Sequence, residues 1–140
     1  MRRPKSNLII CGGILLAILI ACSFSTVNLS SLKIGKDKTV SSESSSFGRN
    51  DTVYALATVA NAPGAVKVKG LLAFEDVEGE QAGPIPGLEK TLELPGSGTA
   101  TYTFTPPTSG WPKGKFRVEV TLIDDSGAQK DQKTATLTVS

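Results

Sequence analysis

The chain has 140 residues, 39% hydrophobic and 20% charged, and its 15 basic and 13 acidic side chains give a formal net charge of +2 at pH 7. This length suits one domain with one core, and the near balance of charge excludes the strongly basic surface typical of nucleic-acid binding. The absence of histidine and the presence of only two cysteines exclude most zinc sites and most nucleophilic active sites.

The N-terminal segment has the pattern of an export signal. Residues 1–5 are basic, residues 8–21 form an uncharged and mainly apolar run, and Ala21 is a small residue suited to a cleavage position. This pattern predicts an apolar signal helix over residues 1–21, ahead of an exported chain.

Leu19-Ile20-Ala21-Cys22 resembles the lipobox of bacterial lipoproteins, in which the cysteine is lipidated and becomes the mature N-terminus. The resemblance implies that Leu19, Ile20 and Ala21 are read as the signal and that Cys22 is the lipid attachment site. It further implies an envelope protein held to membrane lipid, with its domain outside the cytoplasm. Ser23, in the place where an aspartate would retain the protein, resembles the outer-membrane lipoproteins of two-membrane bacteria.

Two alternatives to lipidation stay open. An ordinary signal peptidase could cut near Ser23 or Ser25. An uncleaved membrane helix is the other alternative, because no charge occurs between Lys5 and Lys33, although the apolar core is short for a bilayer of about 30 Å. The basic start stays cytoplasmic in each version.

Both cysteines, Cys11 and Cys22, lie in this N-terminal region, so the remaining chain cannot form an internal disulfide. Removal of residues 1–21 takes away three of the 15 basic side chains and none of the 13 acidic ones, which leaves a net charge of about −1. No nucleic-acid partner is therefore expected.

Residues 22–50 are rich in serine and poor in large apolar residues, which predicts a flexible tether. A flexible chain of this length has an end-to-end distance of roughly 30 Å. The alternative is that residues 27–29 or 32–34 form a first strand of the domain.

From residue 51 onward the hydrophobic pattern alternates with a period of two, which predicts β-strands. In residues 116–122, for example, Phe116, Val118, Val120 and Leu122 fall on one face. Gly70 is predicted to form a bulge in its strand. Six strands are predicted, at residues 52–60, 66–74, 88–94, 99–105, 116–122 and 134–139.

Turn signals rich in Gly and Pro separate these segments, and Asp124-Asp125-Ser126-Gly127 is predicted to close the last hairpin with a positive φ at Gly127. Residues 51–140 are therefore predicted to form a single antiparallel β-sandwich of about seven strands. Residues 110–120 are similar to the segment that leads into the penultimate strand of immunoglobulin-like and fibronectin type III-like domains of bacterial envelope proteins. The resemblance implies an all-β, immunoglobulin-like fold.

Trp111 is expected to close one end of the core, with its indole N–H bonded to a backbone carbonyl. The sharper alternative is an exposed platform for sugars or a partner, formed by Trp111 with Tyr102. The acidic residues Glu75, Asp76, Glu78 and Glu80 are weak candidates for calcium binding, because calcium prefers several oxygen ligands. No cofactor is expected.

These observations favour a non-catalytic, lipid-anchored envelope protein that displays its domain for structural or protein–protein interaction roles. The alternative is an envelope module that binds carbohydrate or calcium. An enzyme is not expected, because no pattern typical of a catalytic site occurs in the sequence.

Overall fold

The computed structural model describes residues 26–140. This part of the chain is all-β, with eight strands arranged in two sheets. The predicted signal helix and the lipobox lie outside the described residues. The strands are β1 (Asn28–Gly35), β2 (Ser46–Phe47), β3 (Val53–Ala60), β4 (Val66–Val77), β5 (Gly83–Leu94), β6 (Gly98–Phe104), β7 (Gly114–Asp124) and β8 (Gln129–Val139).

One sheet has the order β1-β3-β6 and the other has the order β2-β8-β7-β4-β5. In an immunoglobulin-like sandwich, strands A, B, E and D share one sheet and strands C, F and G form the other. Here β1, β3 and β6 take the places of A, B and E, while β4, β7 and β8 take those of C, F and G. No strand of the described residues takes the place of D; β5 lies beside β4 in the other sheet, and the short β2 lies beside β8. The fold is therefore an immunoglobulin-like β-sandwich.

The core lies between the sheets and is built by the predicted alternation. On β7 the residues Phe116, Val118, Val120 and Leu122 are fully buried, while the residues between them are partly exposed. The opposite sheet contributes the alternating small and branched residues of β3, whose burial also repeats every second position. All six predicted strands are confirmed, with boundaries that differ by a few residues.

The predicted tether is wrong for residues 27–50, because this segment supplies β1 and β2. Leu29, Ile34 and Phe47 are at most 6% exposed and belong to the core. β1 pairs antiparallel with β3, and a register shift between Leu29 and Ser31 interrupts its alternation. Because β1 is an edge strand, few of its residues need to be apolar. The register shift also breaks the period-two spacing of those apolar residues, so the sequence pattern does not indicate a strand. The alternative of a first strand in this region is the one observed.

β2 pairs with β8 in parallel, so the sandwich is not wholly antiparallel. Residues 51–140 form six strands, where about seven were expected, and β1 and β2 before them bring the count in the described residues to eight.

The predicted hairpin turn between β7 and β8 is confirmed. The Asp124 backbone N–H donates to the Ala128 carbonyl at 2.9 Å, and Gly127 has a φ of +90°. By contrast, the predicted bulge at Gly70 is wrong. The register of β4 with β5 shifts between Leu71 and Ala73 instead, and its register with β7 shifts between Phe74 and Asp76.

Candidate interaction site

Trp111 closes one end of the core, as expected. It is 3% exposed, and its indole N–H donates to the backbone carbonyl of Asp51 at 2.7 Å. Its ring meets Phe116 edge to face, with ring centroids 6.0 Å apart. The expected hydrogen bond to a backbone carbonyl is thus confirmed, and the alternative of an exposed stacking platform is wrong for this residue.

The segment that leads into β3 holds the Trp111 loop in place. The Trp111 backbone N–H donates to the Arg49 carbonyl at 2.8 Å, and the Arg49 side chain donates in return to the Trp111 carbonyl at 2.9 Å and to the Ser109 carbonyl at 3.1 Å. Sequence reasoning missed Arg49, because it lies 62 residues from Trp111 in the chain and inside the predicted tether.

Asp51 also helps to hold the segment that contacts the Trp111 loop. Its carboxylate accepts the Gly48 backbone N–H at 2.6 Å and pairs with Lys36 at 3.4 Å. The Gly48 hydrogen bond and the nearby Lys36 ammonium hold the pKa of Asp51 below its usual value. The loop end of the sandwich around Trp111 is therefore fixed by backbone contacts and an ion pair.

Tyr102 also lies inside the core, with 2% of its surface exposed. Its hydroxyl donates to the Val68 carbonyl in the opposite sheet, and burial raises the pKa of its phenol. A ring in this position offers no surface to a sugar or a partner. The expectation that Tyr102 contacts a ligand or partner is therefore wrong.

The acidic candidates do not form a metal site. Glu75 and Asp76 lie near the end of β4, whereas Glu78 and Glu80 lie in the turn that follows. Within residues 26–140, no group of three or more carboxylates is placed so that it could hold a metal ion. The weak expectation of calcium binding thus has no geometric basis at these residues.

An apolar pocket opens beside Trp111, on the surface between β5 and the loop from β6 to β7. Its volume is about 240 Å³, and none of the side chains that line it is charged. Its walls are formed by Phe74, Ile85, Pro86, Leu88, Thr105, Pro107, Trp111 and Pro112. Trp111 thus contributes one face to this pocket although it is almost fully buried.

A wide bulge in β5 builds one wall of the pocket. Leu71 pairs with Glu89 and Ala73 pairs with Pro84, so residues 85–88 of β5 stand opposite the single residue Leu72. Gly87 has a φ of +83°, which allows the sharp bend. Sequence reasoning missed this wall, because Pro84-Ile85-Pro86-Gly87 has the composition of a turn.

β5 is an edge strand of the five-stranded sheet. Its bulge limits the main-chain hydrogen bonds that an added strand could form with it. Pro84 and Pro86 have no backbone N–H to donate, and this protects an exposed edge from uncontrolled strand addition. This stretch of the edge therefore offers few main-chain donors to an added strand.

The outer face of the five-stranded sheet carries ion pairs. Lys67, Lys69 and Arg117 lie on the outer face of the five-stranded sheet, where Lys69 pairs with Glu89 at 3.5 Å and Arg117 pairs with Glu119 at 2.5 Å. Lys69 and Arg117 are thus each paired with an acidic side chain on the same face.

The lipid attachment site at Cys22 and the signal residues Leu19, Ile20 and Ala21 lie outside the described residues. In the part that is described, residues 26–140, no helix has the length and apolar character that crossing a membrane requires.

Comparison with known proteins gives likeness at the level of fold. No protein-family model matches the chain, and no curated protein matches it. A β-glucuronidase of Bacteroides uniformis has a TM-score of 0.53 and 15% identity, over 79% of this chain and 14% of that one. A calcium-binding mutant of Bacteroides uniformis β-glucuronidase 2 has a TM-score of 0.51 and 16% identity, with the same coverage.

A CARDB domain from Pyrococcus furiosus, solved in complex with di-metal ions, has a TM-score of 0.44 and 14% identity, over 82% of this chain and 86% of that one. The chain spans only 14% of the length of the two glucuronidases. At these identities the likeness to the two glucuronidases shows a shared fold and nothing about activity.

Proposed function

We propose that this protein is a non-catalytic, lipid-anchored protein of the bacterial cell envelope, whose immunoglobulin-like domain contacts an envelope protein partner. The anchor is Cys22 of the lipobox-like segment, and the outer membrane is its proposed location because Ser23 follows the cysteine. The observation that carries the interaction role is the uncharged apolar pocket beside Trp111.

The chemistry of this pocket favours a protein partner. Its lining combines aromatic, aliphatic and proline side chains, which are suited to bury one or two apolar side chains of another protein. A carbohydrate would require several hydrogen-bonding groups in the pocket, and Thr105 is the one lining residue with a polar side chain. This lining therefore supports a protein partner over a carbohydrate.

Site-specific photo-cross-linking in intact cells tests this proposal. A photoreactive phenylalanine analogue at the exposed position 86 is expected to form an adduct with one envelope protein. The same analogue at Thr101, on the exposed outer face of the other sheet, serves as the control and is expected to form no such adduct.

A second variant links the adduct to the pocket. Ile85→Asp places a charge in the uncharged pocket, and because Ile85 is only half-buried the domain is expected to keep its fold. Loss of the adduct in this variant, with an unchanged thermal unfolding curve, would support the proposal. Absence of any protein adduct at position 86, or an adduct that Ile85→Asp leaves intact, would contradict it.

A further inference from the structure

The structure fixes the point at which the chain leaves the domain toward Cys22. Val27 is 6% exposed, and the Leu29 backbone N–H donates to the Asp131 carboxylate at 2.9 Å. Thr26 and Val27 also line a surface cavity together with the loop between β3 and β4 and the turn between β7 and β8. The chain therefore leaves at the end of the sandwich opposite Trp111.

Only four residues separate Cys22 from Val27. Because each residue extends a chain by at most about 3.6 Å, the two α-carbons are at most about 18 Å apart. The strands of the sandwich are longer than this, since the 11 residues of β7 span about 36 Å at about 3.3 Å per residue. A lipid on Cys22 would thus hold the domain within a fraction of its own length from the bilayer.

We infer that the domain stands on the lipid bilayer with one end, formed by residues 61–65, 95–97 and 124–128, against the headgroups. This inference rests on the proposed lipidation of Cys22. It replaces the long tether predicted from sequence, and it directs the pocket beside Trp111 away from the membrane, where a partner protein can reach it.

The composition of this end suits contact with headgroups without insertion into the acyl chains. Its loops consist of small and polar residues such as Asn61, Gly64 and Ser97. Asp124 pairs with Lys130 at 3.5 Å, which leaves the exposed Asp125 as the remaining charged side chain of these loops. The surface therefore fits a zwitterionic headgroup layer, and the lipid on Cys22 supplies the affinity.

The test uses the full chain, expressed in a bacterium that lipidates it and reconstituted into zwitterionic vesicles of phosphatidylethanolamine and phosphatidylcholine that carry a headgroup-linked energy acceptor. A donor dye is attached to Ala128→Cys at the proposed membrane end or to Thr108→Cys at the opposite end. Both positions are exposed, and a lipidated Cys22 leaves the introduced cysteine as the one free thiol of the mature chain.

We expect the efficiency of energy transfer from position 128 to be at least about twofold higher than from position 108, since the two loops are separated by about the length of a strand. Insertion of about 20 Gly and Ser residues between Ser25 and Thr26 gives a matched control, because a linker of that length adds about 25 Å of flexible reach. It should lower the transfer from position 128 and remove the difference.

Each outcome is decisive. If the protein floats with the vesicles but the efficiency of energy transfer is equal from both positions, the inferred orientation is wrong and the proposed anchor is unaffected. Protein that does not float with the vesicles would show that Cys22 carries no lipid, and the anchor and the orientation would then fail together.

Discussion

The Tyr102 ring lies directly over Gly70 of the opposite sheet, in the space that a side chain at position 70 would occupy. A Cβ atom on Gly70 would stand 2.6 Å from Cε1 of Tyr102. The hydroxyl of the same ring donates to the Val68 carbonyl on the same strand. Gly70 is thus needed for close packing between the sheets, and not for a bulge.

We therefore expect Gly70→Ala to lower the free energy of unfolding by about 1–3 kcal/mol, because the buried ring must shift to admit the methyl group. Gly96→Ala is the matched control, since a Cβ there meets no atom within 4 Å. Urea denaturation followed by the fluorescence of Trp111, the single tryptophan of the chain, measures both. Equal stability of the two variants would contradict the packing role.

The Tyr102 phenol links stability to alkaline pH. Burial raises its pKa in the folded state above the ordinary value of 10.0, so the unfolded chain ionises first and stability falls as the pH rises above 10. Tyr102→Phe is expected to cost about 0.5–1.5 kcal/mol at neutral pH through the lost hydrogen bond. The difference in the free energy of unfolding between Tyr102→Phe and the wild type should become smaller above pH 10.

Denaturant unfolding at a series of pH values from 8 to 11 measures this effect. Tyr54→Phe, which removes a phenol from the half-buried outer face of β3, is the matched control. If the difference in the free energy of unfolding from the wild type shrank by the same amount in Tyr54→Phe and in Tyr102→Phe at high pH, burial of Tyr102 would not explain the pH dependence.

The turn between β7 and β8 links stability to acidic pH. The Asp124 carboxylate accepts hydrogen bonds from the Ser126 hydroxyl at 2.6 Å and from the Ala128 backbone N–H at 2.9 Å. The Ser126 hydroxyl bond, the Ala128 backbone bond and the nearby Lys130 lower the pKa of Asp124 to about 2. Its stabilising effect is complete above pH 4 and is lost as the pH falls toward 2.

Asp124→Asn is therefore expected to lower the melting temperature at pH 6, and the gap from the wild type should narrow between pH 4 and pH 2. Asp125→Asn removes the same charge from an exposed position in the same turn and is the control. Thermal unfolding followed by circular dichroism gives both gaps. A gap that stays constant down to pH 2 would refute the role of the Asp124 carboxylate.

Sequence pattern predicted the strands from residue 51 onward most clearly for β3, β6 and β7, which bury every second residue against the core. It failed for β1, where the shift between Leu29 and Ser31 breaks the period. It also failed for the bulge in β5, because Pro and Gly indicate a turn and a wide bulge equally well. The sequence pattern alone therefore could not predict the pocket wall that residues 85–88 form.

Long-range contacts set a second limit on what could be predicted. The sequence predicted that the Trp111 indole would find a backbone carbonyl, because a buried N–H requires an acceptor. It could not predict that the acceptor belongs to Asp51, 60 residues away. That contact depends on how the two sheets pack against each other, which the local sequence pattern does not determine.

We expect Trp111→Phe to lower the free energy of unfolding by about 1–3 kcal/mol, because it leaves the Asp51 carbonyl without its donor and leaves a small cavity. Urea denaturation followed by circular dichroism measures the change. Phe104→Leu, a change in another buried ring at the same end of the core, tests whether the loss comes from volume alone. A smaller loss in Trp111→Phe than in Phe104→Leu would argue against the role of the indole hydrogen bond.

Removal of residues 26–50 gives the sharpest distinction between a tether and a structural segment. A chain that begins at residue 51 lacks β1 and β2 and therefore exposes the core positions that Leu29, Ile34 and Phe47 cover. It also lacks Arg49, which holds the Trp111 loop. We expect this chain to show no cooperative thermal unfolding and poor dispersion of its amide proton resonances, whereas a chain that begins at residue 26 should unfold cooperatively. A cooperatively folded chain from residue 51 would restore the tether and remove the structural basis for a domain held close to the membrane.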